Sequence, residues 1–61
     1  MGKRDAERQA KYCAEFSDAL LARAPQLSGR IDWPAVLYYY FSGTPVLDAV
    51  DKYCIARNIE S

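Results

Sequence analysis

Few residues in this 61-residue sequence could carry out chemistry. There is no histidine, the side chain that most often serves as a general base near neutral pH. Cys13 and Cys54 are the two thiols, and each falls on the predicted inner face of a helix with no obvious base beside it. Because free cysteine in such positions usually acts as a small hydrophobic residue, we interpret both as part of the core rather than as nucleophiles.

Two other short patterns resemble reactive or binding motifs but have simpler interpretations. Asp48 and Asp51 could form a carboxylate pair, yet acidic residues at the start of a helix are ordinarily stabilised by its dipole. The segment 42–44, SGT, could hold a phosphate on backbone N–H groups, but it lacks the glycines and the lysine of a P-loop. We therefore predict a protein that is not an enzyme, with no catalytic, cofactor-binding or metal-binding residues.

The length of the chain indicates that something besides its own core contributes to stability. A chain this short buries only about 60% of its unfolded surface, and such folds usually need a disulfide, a metal or a partner. Two thiols without histidine cannot complete a closed zinc site, and the charged segment MGKRDAERQAK has no apolar core of the kind that a signal peptide needs. A Cys13–Cys54 disulfide is arithmetically possible, but we expect reduced thiols, a cytoplasmic location and a partner chain.

The charge pattern does not indicate a nucleic-acid-binding surface. Eight basic and eight acidic residues cancel over the whole chain. The first twelve residues carry four basic and two acidic side chains, whereas residues 31–61 carry two basic and four acidic ones. This asymmetry is mild and does not create a strongly basic field. No apolar run approaches the length of a membrane span, so we expect no membrane partner.

Hydrophobic periodicity predicts one all-α domain over residues 1–61, with helices at about 3–24, 32–41 and 45–58. Pro25 ends the first helix, because the residue before a proline is pushed out of the helical region. The predicted fold is a small three-helix bundle, in which a long N-terminal helix packs on a shorter hairpin of helices 2 and 3. The alanine-rich first half of helix 1 favours close approach of a second helix. The predicted inner face of helix 1 comprises Ala6, Ala10, Cys13, Ala14, Phe16, Ser17, Leu20, Leu21 and Ala24.

The second helix contains four consecutive aromatic residues, 38–41, which one helix face cannot bury together. Asp32 is predicted to cap this helix, with Pro34 in its first turn. A strand is also conceivable for a segment this rich in tyrosine, but it would have no partner strand. The helical wheel predicts outward positions for Tyr38 and Tyr39. It predicts a core stripe of Trp33, Val36, Leu37, Tyr40 and Phe41.

The third helix is predicted to begin after a Thr44 cap, with Pro45 at its first position. Ile55 and Ile59 fall one turn apart on its outer face, which is unexpected for a surface in contact with water. The predicted inner face comprises Val46, Leu47, Ala49, Val50, Tyr53 and Cys54.

The outward apolar residues predict a function in protein–protein contact. Tyrosine is enriched at interface hot spots, and a chain this short builds only a small hydrophobic core. We therefore predict that the chain binds a partner through Tyr38, Tyr39, Ile55 and Ile59. The predicted function is a small non-catalytic module, an adaptor or an inhibitor that occludes the surface of another protein, with a homodimer as a further option. We expect no small-molecule substrate. Chains of this size are common among regulators carried by bacteriophages and plasmids.

The alternative function is a small helix-turn-helix-like DNA-binding regulator, because helix 2, a tight turn and helix 3 have that outline. Helix 3, however, begins TPVLDAVDKYC and offers two aspartates where base-reading donors are needed. In this interpretation the residues that contact the DNA backbone would be Lys3, Arg4, Arg8 and Lys11.

Overall fold

The computed structural model describes residues 3–59, and of Lys3 the backbone alone. Within that range the chain forms α1 (Lys3–Arg23), a 3₁₀ turn (Pro25–Leu27), α2 (Trp33–Phe41) and α3 (Val46–Ala56), and no strand. The first helix packs against both others, and α2 and α3 contact each other less extensively. The predicted all-α three-helix bundle is confirmed, and each helix end lies within two residues of its predicted position.

The core is formed mainly by α1 and α3. The rings of Phe16 and Tyr53 meet edge to face, with centroids 5.4 Å apart, and join these two helices. Helix α2 contributes one fully buried side chain, Val36, so most of its apolar surface lies outside the core. The buried cluster contains Phe16, Leu20, Val36, Ala49, Val50, Tyr53 and Cys54.

Helix α1 is about 31 Å long, roughly twice the length of either partner helix, so the α2–α3 hairpin covers only part of it. Ala6, Ala10 and Ala14 are exposed, so the expected close approach of a helix to this alanine stripe was wrong. The inner face of α1 instead includes Tyr12, which was absent from the predicted set. Its hydroxyl donates to the Thr44 carbonyl oxygen at 2.5 Å.

A Schellman motif at the end of α2 displaces the predicted start of α3. The N–H of Gly43 donates to the Tyr40 carbonyl at 3.1 Å, and the N–H of Thr44 donates to the Tyr39 carbonyl at 3.0 Å. Gly43 has φ +77°, a left-handed conformation that favours glycine. Because the backbone of Thr44 is used to end α2, Pro45 rather than Thr44 occupies the N-cap position of α3, contrary to the prediction.

The same motif ends α3 and changes the position of Ile59. The N–H of Asn58, which has φ 53°, donates to the Ile55 carbonyl at 3.3 Å, and the N–H of Ile59 donates to the Cys54 carbonyl at 2.9 Å. The chain therefore reverses after Ala56. Ile59 packs back against the core instead of lying one turn beyond Ile55 on the outer face, so that part of the prediction was wrong.

The beginning of α3 differs from its predicted inner face at one position. Leu47 was placed inside, but it is 75% exposed, whereas Val46 packs against the core. Leu47 lies about 60° around the helix from Val50, at the edge of the apolar arc, and no other described element covers that edge.

The start of α2 is tied to the end of α3 by side chains rather than by a helix cap. Asp32 occupies the predicted N-cap position, but its carboxylate makes no capping hydrogen bond. The carboxylate pairs with the guanidinium of Arg57, and the Asp32 N–H donates to the Tyr53 hydroxyl at 3.0 Å. The same guanidinium lies 4.6 Å from the centroid of the Tyr53 ring. These contacts fix both the position and the rotation of α2.

Candidate contact surface

Helix α2 is rotated relative to the predicted wheel. Val36 is fully buried, and Ala35 and Tyr39 pack against the core as partly buried residues. Asp32, Val36 and Tyr39 follow the i, i+4, i+7 spacing of one helix face. The ion pair and the hydrogen bond from Asp32 to α3 therefore turn this face of α2 toward the core. Tyr39 was predicted to point away from the core, and that orientation was wrong.

The opposite side of α2 exposes large apolar side chains. Trp33 is 43% exposed, Tyr38 is 68% exposed and Phe41 is 73% exposed, whereas Leu37 is half-buried. The predictions that Trp33 and Phe41 belong to the core were therefore wrong, and Leu37, also predicted as core, is not part of the buried cluster. The outward position of Tyr38 is confirmed. Residues 33, 37 and 41 are one turn apart and lie within an arc of about 80°. We call Trp33, Leu37, Tyr38 and Phe41 the α2 aromatic face.

The four consecutive aromatic rings form two edge-to-face pairs. Tyr38 and Tyr39 have ring centroids 5.7 Å apart, and Tyr40 and Phe41 have centroids 5.1 Å apart. In each pair one ring, that of Tyr39 or of Tyr40, is partly buried and its neighbour is exposed. Tyr40 also meets the ring of Tyr12 on α1, at 5.3 Å. The exposed rings of Tyr38 and Phe41 thus each pack against a partly buried tyrosine.

The α2 aromatic face carries no charge. The segment WPAVLYYYF contains no acidic or basic residue, although 26% of the whole chain is charged. An uncharged, exposed aromatic surface on an otherwise charged protein favours contact with another apolar surface.

The two predicted isoleucines lie on a different surface. Ile55 is 69% exposed, as expected, whereas Ile59 is partly buried. Both line a shallow groove of about 370 Å³ together with Arg23, Cys54 and Asn58. Neither Tyr38 nor Tyr39 lines that groove, so the four predicted partner-binding residues do not form one continuous site there. Their part in binding stays a prediction.

The basic residues proposed for DNA contact lie along α1 among acidic ones. The side chain of Lys3 lies outside the described part of the structure, and Arg4, Arg8 and Lys11 are exposed. Asp5 and Glu7, in the same turns of the helix, are exposed as well. The exposed side of α3 carries Asp48 and Asp51, and Asp51 pairs with Arg23 at 3.5 Å. No described surface is thus uniformly basic, and the DNA-binding interpretation stays an untested alternative.

The two thiols and the Tyr12 phenol, which are groups that could react, lie in the packed part of the structure. Cys54 is buried, Cys13 is half-buried, and both are free thiols. Burial raises the pKa of the Tyr12 phenol, and Cys13 and Tyr39 add to this effect. The hydroxyl therefore stays protonated at neutral pH and can donate to the Thr44 carbonyl oxygen.

Among the described side chains, no three metal-binding groups come together. None of the helices within residues 3–59 combines the length and the apolar character needed to cross a membrane.

Comparison with known proteins gives no family assignment. No family model matches this sequence, and no curated protein or solved structure is significantly similar to it.

Proposed function

We propose that this chain is a small non-catalytic protein-binding module that acts as an adaptor or inhibitor by occluding a surface of a partner protein. The observation that supports this function is the α2 aromatic face, where Trp33, Tyr38 and Phe41 are 43%, 68% and 73% exposed. Tryptophan, tyrosine and phenylalanine are enriched at protein interfaces, because they bring a large contact area at a low cost in conformational entropy.

The area of this face suits a contact function. A large aromatic side chain can bury about 150–250 Å², so the exposed fractions of these three rings correspond to roughly 300–450 Å². The accessible surface of the chain is 4435 Å², so the three rings account for about 7–10% of it. A standard interface buries about 800 Å² of each partner, so these rings alone would supply about half of one, and apolar patches of this size are often functional.

The chemistry of the face indicates the kind of partner surface it fits. Trp33, Leu37 and Phe41 recur at one-turn intervals, which is the spacing of anchors on a helix that lies in an apolar groove. Because α2 has no charged residue, such a partner needs no matching charge opposite it. An inhibitor would act by filling that groove with α2.

The groove beside Ile55 supports the adaptor form of the proposal. It lies between α1 and α3, with Arg23 on one side and Ile55 and Ile59 on the other, and its lining includes no residue of α2. A chain with two separate apolar surfaces could contact two partners at the same time.

We keep the cytoplasmic location as part of this proposal, because both thiols are free.

Site-specific photo-crosslinking in the native host tests the contact function. A photoreactive phenylalanine derivative replaces Tyr38 in one variant and the exposed Lys52 of α3 in a matched control. We expect a discrete protein adduct from position 38 that is absent from position 52 and is lost when Phe41→Glu is added. Circular dichroism verifies that each variant is helical. If position 38 forms no adduct, or forms the same adducts as position 52, the α2 aromatic face is not a contact surface.

The alternative function as a DNA-binding regulator makes a separate prediction. Binding that consists only of phosphate contacts from Arg4, Arg8 and Lys11 would fall steeply with salt and show no sequence preference, which would count against a specific regulator. A gel-shift titration at low and moderate salt measures this directly. Binding that persists at moderate salt and discriminates between duplex sequences would favour the regulator over the protein-binding module.

A further inference from the structure

We infer that a second copy of this chain occupies the α2 aromatic face, in a symmetric antiparallel dimer with Leu37 near the two-fold axis. This inference rests on the proposed contact function of the same face and specifies its occupant in the free protein, which a different partner protein would have to displace. Along α2, Leu37 lies midway between Trp33 and Phe41, which are about 12 Å apart along the helix axis. When two such helices lie antiparallel, Leu37 meets its own copy and Trp33 of each chain meets Phe41 of the other. The face is therefore complementary to itself, as a two-fold interface requires.

The available area is sufficient for a weak dimer. Two copies of the three exposed rings contribute roughly 600–900 Å². Pro34, which is exposed, and the accessible part of Leu37 lie on the same side of α2 and add to this area. The total approaches the approximately 1,000 Å² that a specific interface needs. An interface at this lower limit is expected to be weak, so the dimer should form only at high chain concentration.

Charge also favours a second copy as the occupant. In a two-fold interface the residues at the axis meet their own copies, so a charge at the centre would face a like charge and the centre must be neutral. The segment Trp33–Phe41 meets this condition, and the formal net charge of the whole chain is zero, so two copies do not repel each other. Among the described residues, eight apolar side chains are fully buried. For a core this small, oligomerisation is a common source of additional stability.

Sedimentation velocity of the whole chain, from micromolar to millimolar concentration, tests the inference. We expect a monomer–dimer equilibrium, and we expect Phe41→Glu to raise its dissociation constant about tenfold or more. Leu47→Glu is the matched control, because Leu47 is 75% exposed but belongs to α3. It should leave the equilibrium unchanged, and thermal melts verify that both variants fold.

A parent chain that stays monomeric at millimolar concentration overturns the inference, as does a dimer that Phe41→Glu leaves intact. The Tyr38 photo-crosslinking separates this failure from failure of the proposed function. A monomer whose position 38 still forms a specific adduct with a different protein retains the contact function and loses only the second copy as occupant.

Mixing two charge variants tests the antiparallel arrangement. Trp33→Glu and Phe41→Lys each weaken the homodimer, but in an antiparallel mixed dimer the introduced carboxylate faces the introduced ammonium group. We expect the mixture to contain more dimer than either variant alone, and the reversed pair, Trp33→Lys with Phe41→Glu, to behave in the same way. If neither mixture recovers dimer, the antiparallel arrangement is wrong.

Discussion

Replacing Tyr53 by phenylalanine removes one oxygen atom from the point where all three helices meet. Tyr53 is 2% exposed; its ring packs edge to face on Phe16 of α1, and its hydroxyl accepts a hydrogen bond from the Asp32 N–H at the start of α2. The phenylalanine variant keeps the ring and the contact with Phe16. The hydrogen bond to the start of α2 is lost.

The expected magnitude follows from the surroundings of the hydrogen bond. A typical intramolecular hydrogen bond contributes about 0.5–1.5 kcal/mol, and a buried donor left without a partner costs about 1–3 kcal/mol. Asp32 is only partly buried, so water can reach its N–H in part, and we expect Tyr53→Phe to lower the free energy of unfolding by about 1 kcal/mol. For a domain of this size, that loss lowers the melting temperature by about 4–8 °C.

Thermal denaturation followed by circular dichroism measures this loss. Tyr38→Phe is the matched control, since its hydroxyl belongs to an exposed side chain, and it should change the free energy of unfolding by less than about 0.5 kcal/mol. Hydrogen exchange adds a local measurement, because the Asp32 amide should exchange faster in Tyr53→Phe. If Tyr53→Phe melts with the parent and the Asp32 amide keeps its protection, the hydroxyl does not anchor α2 and the reasoning is refuted.

Three further predictions concern the end of α3, the pH dependence and the exposed ion pair. Asn58 has φ 53°, so Asn58→Ala should cost about 1 kcal/mol in a thermal melt and Asn58→Gly should cost nothing; equal losses would refute the backbone argument. The pKa of Tyr12 is raised above its usual value of about 10. The protonated phenol therefore contributes fully to the free energy of unfolding below about pH 10, and this contribution is lost as the pH rises through the folded-state pKa. Alkaline unfolding followed by tyrosinate absorbance should therefore depend less on pH in Tyr12→Phe, and an unchanged dependence would contradict the assignment. The side chains of Arg57 and Asp32 are 43% and 41% exposed, so a double-mutant cycle should give a coupling below about 1 kcal/mol that decreases with salt. A large coupling that salt does not affect would contradict this.

The sequence predicts the helices well because prolines and glycines mark their ends. Pro25 follows α1, Pro34 lies in the first turn of α2, and Gly43 supplies the left-handed residue after α2. Phe16 and Leu20 were also predicted correctly as core, because acidic and basic residues on the opposite face of α1 define which side is polar.

The rotation of α2 could not be predicted in the same way. Almost every residue from Trp33 to Phe41 is apolar, so no polar face shows which side is inward, and the set 33, 36, 37, 40, 41 fits the wheel as well as the observed inner set. Contacts between distant parts of the chain decide the rotation. The Asp32–Tyr53 and Tyr12–Thr44 hydrogen bonds join residues 21 and 32 positions apart.

The position of Ile59 had a local signal in the sequence. Asparagine is the residue that most often replaces glycine in the left-handed position after a helix, and Asn58 directly precedes Ile59. If α3 ends before Asn58, Ile59 is the hydrophobic residue that follows the left-handed position and packs against the last turn of the helix. The shift of Ile59 from the surface to the core side leaves Ile55 as the exposed isoleucine of the pair.

Fluorine NMR on the chain labelled with fluorotryptophan tests the central claim, that the α2 aromatic face is a contact surface, most directly. Trp33 is the one tryptophan of the sequence and lies on that face, so a single resonance reports its surroundings. The measurement compares the dilute chain with the concentrated chain and with the chain mixed with a protein captured through position 38. The claim predicts that the resonance shifts and loses its sensitivity to solvent when the chain is concentrated or the partner is added, and that Phe41→Glu abolishes both changes. A resonance that keeps the shift and solvent sensitivity of the dilute chain both in the concentrated chain and in the mixture with the partner would contradict it.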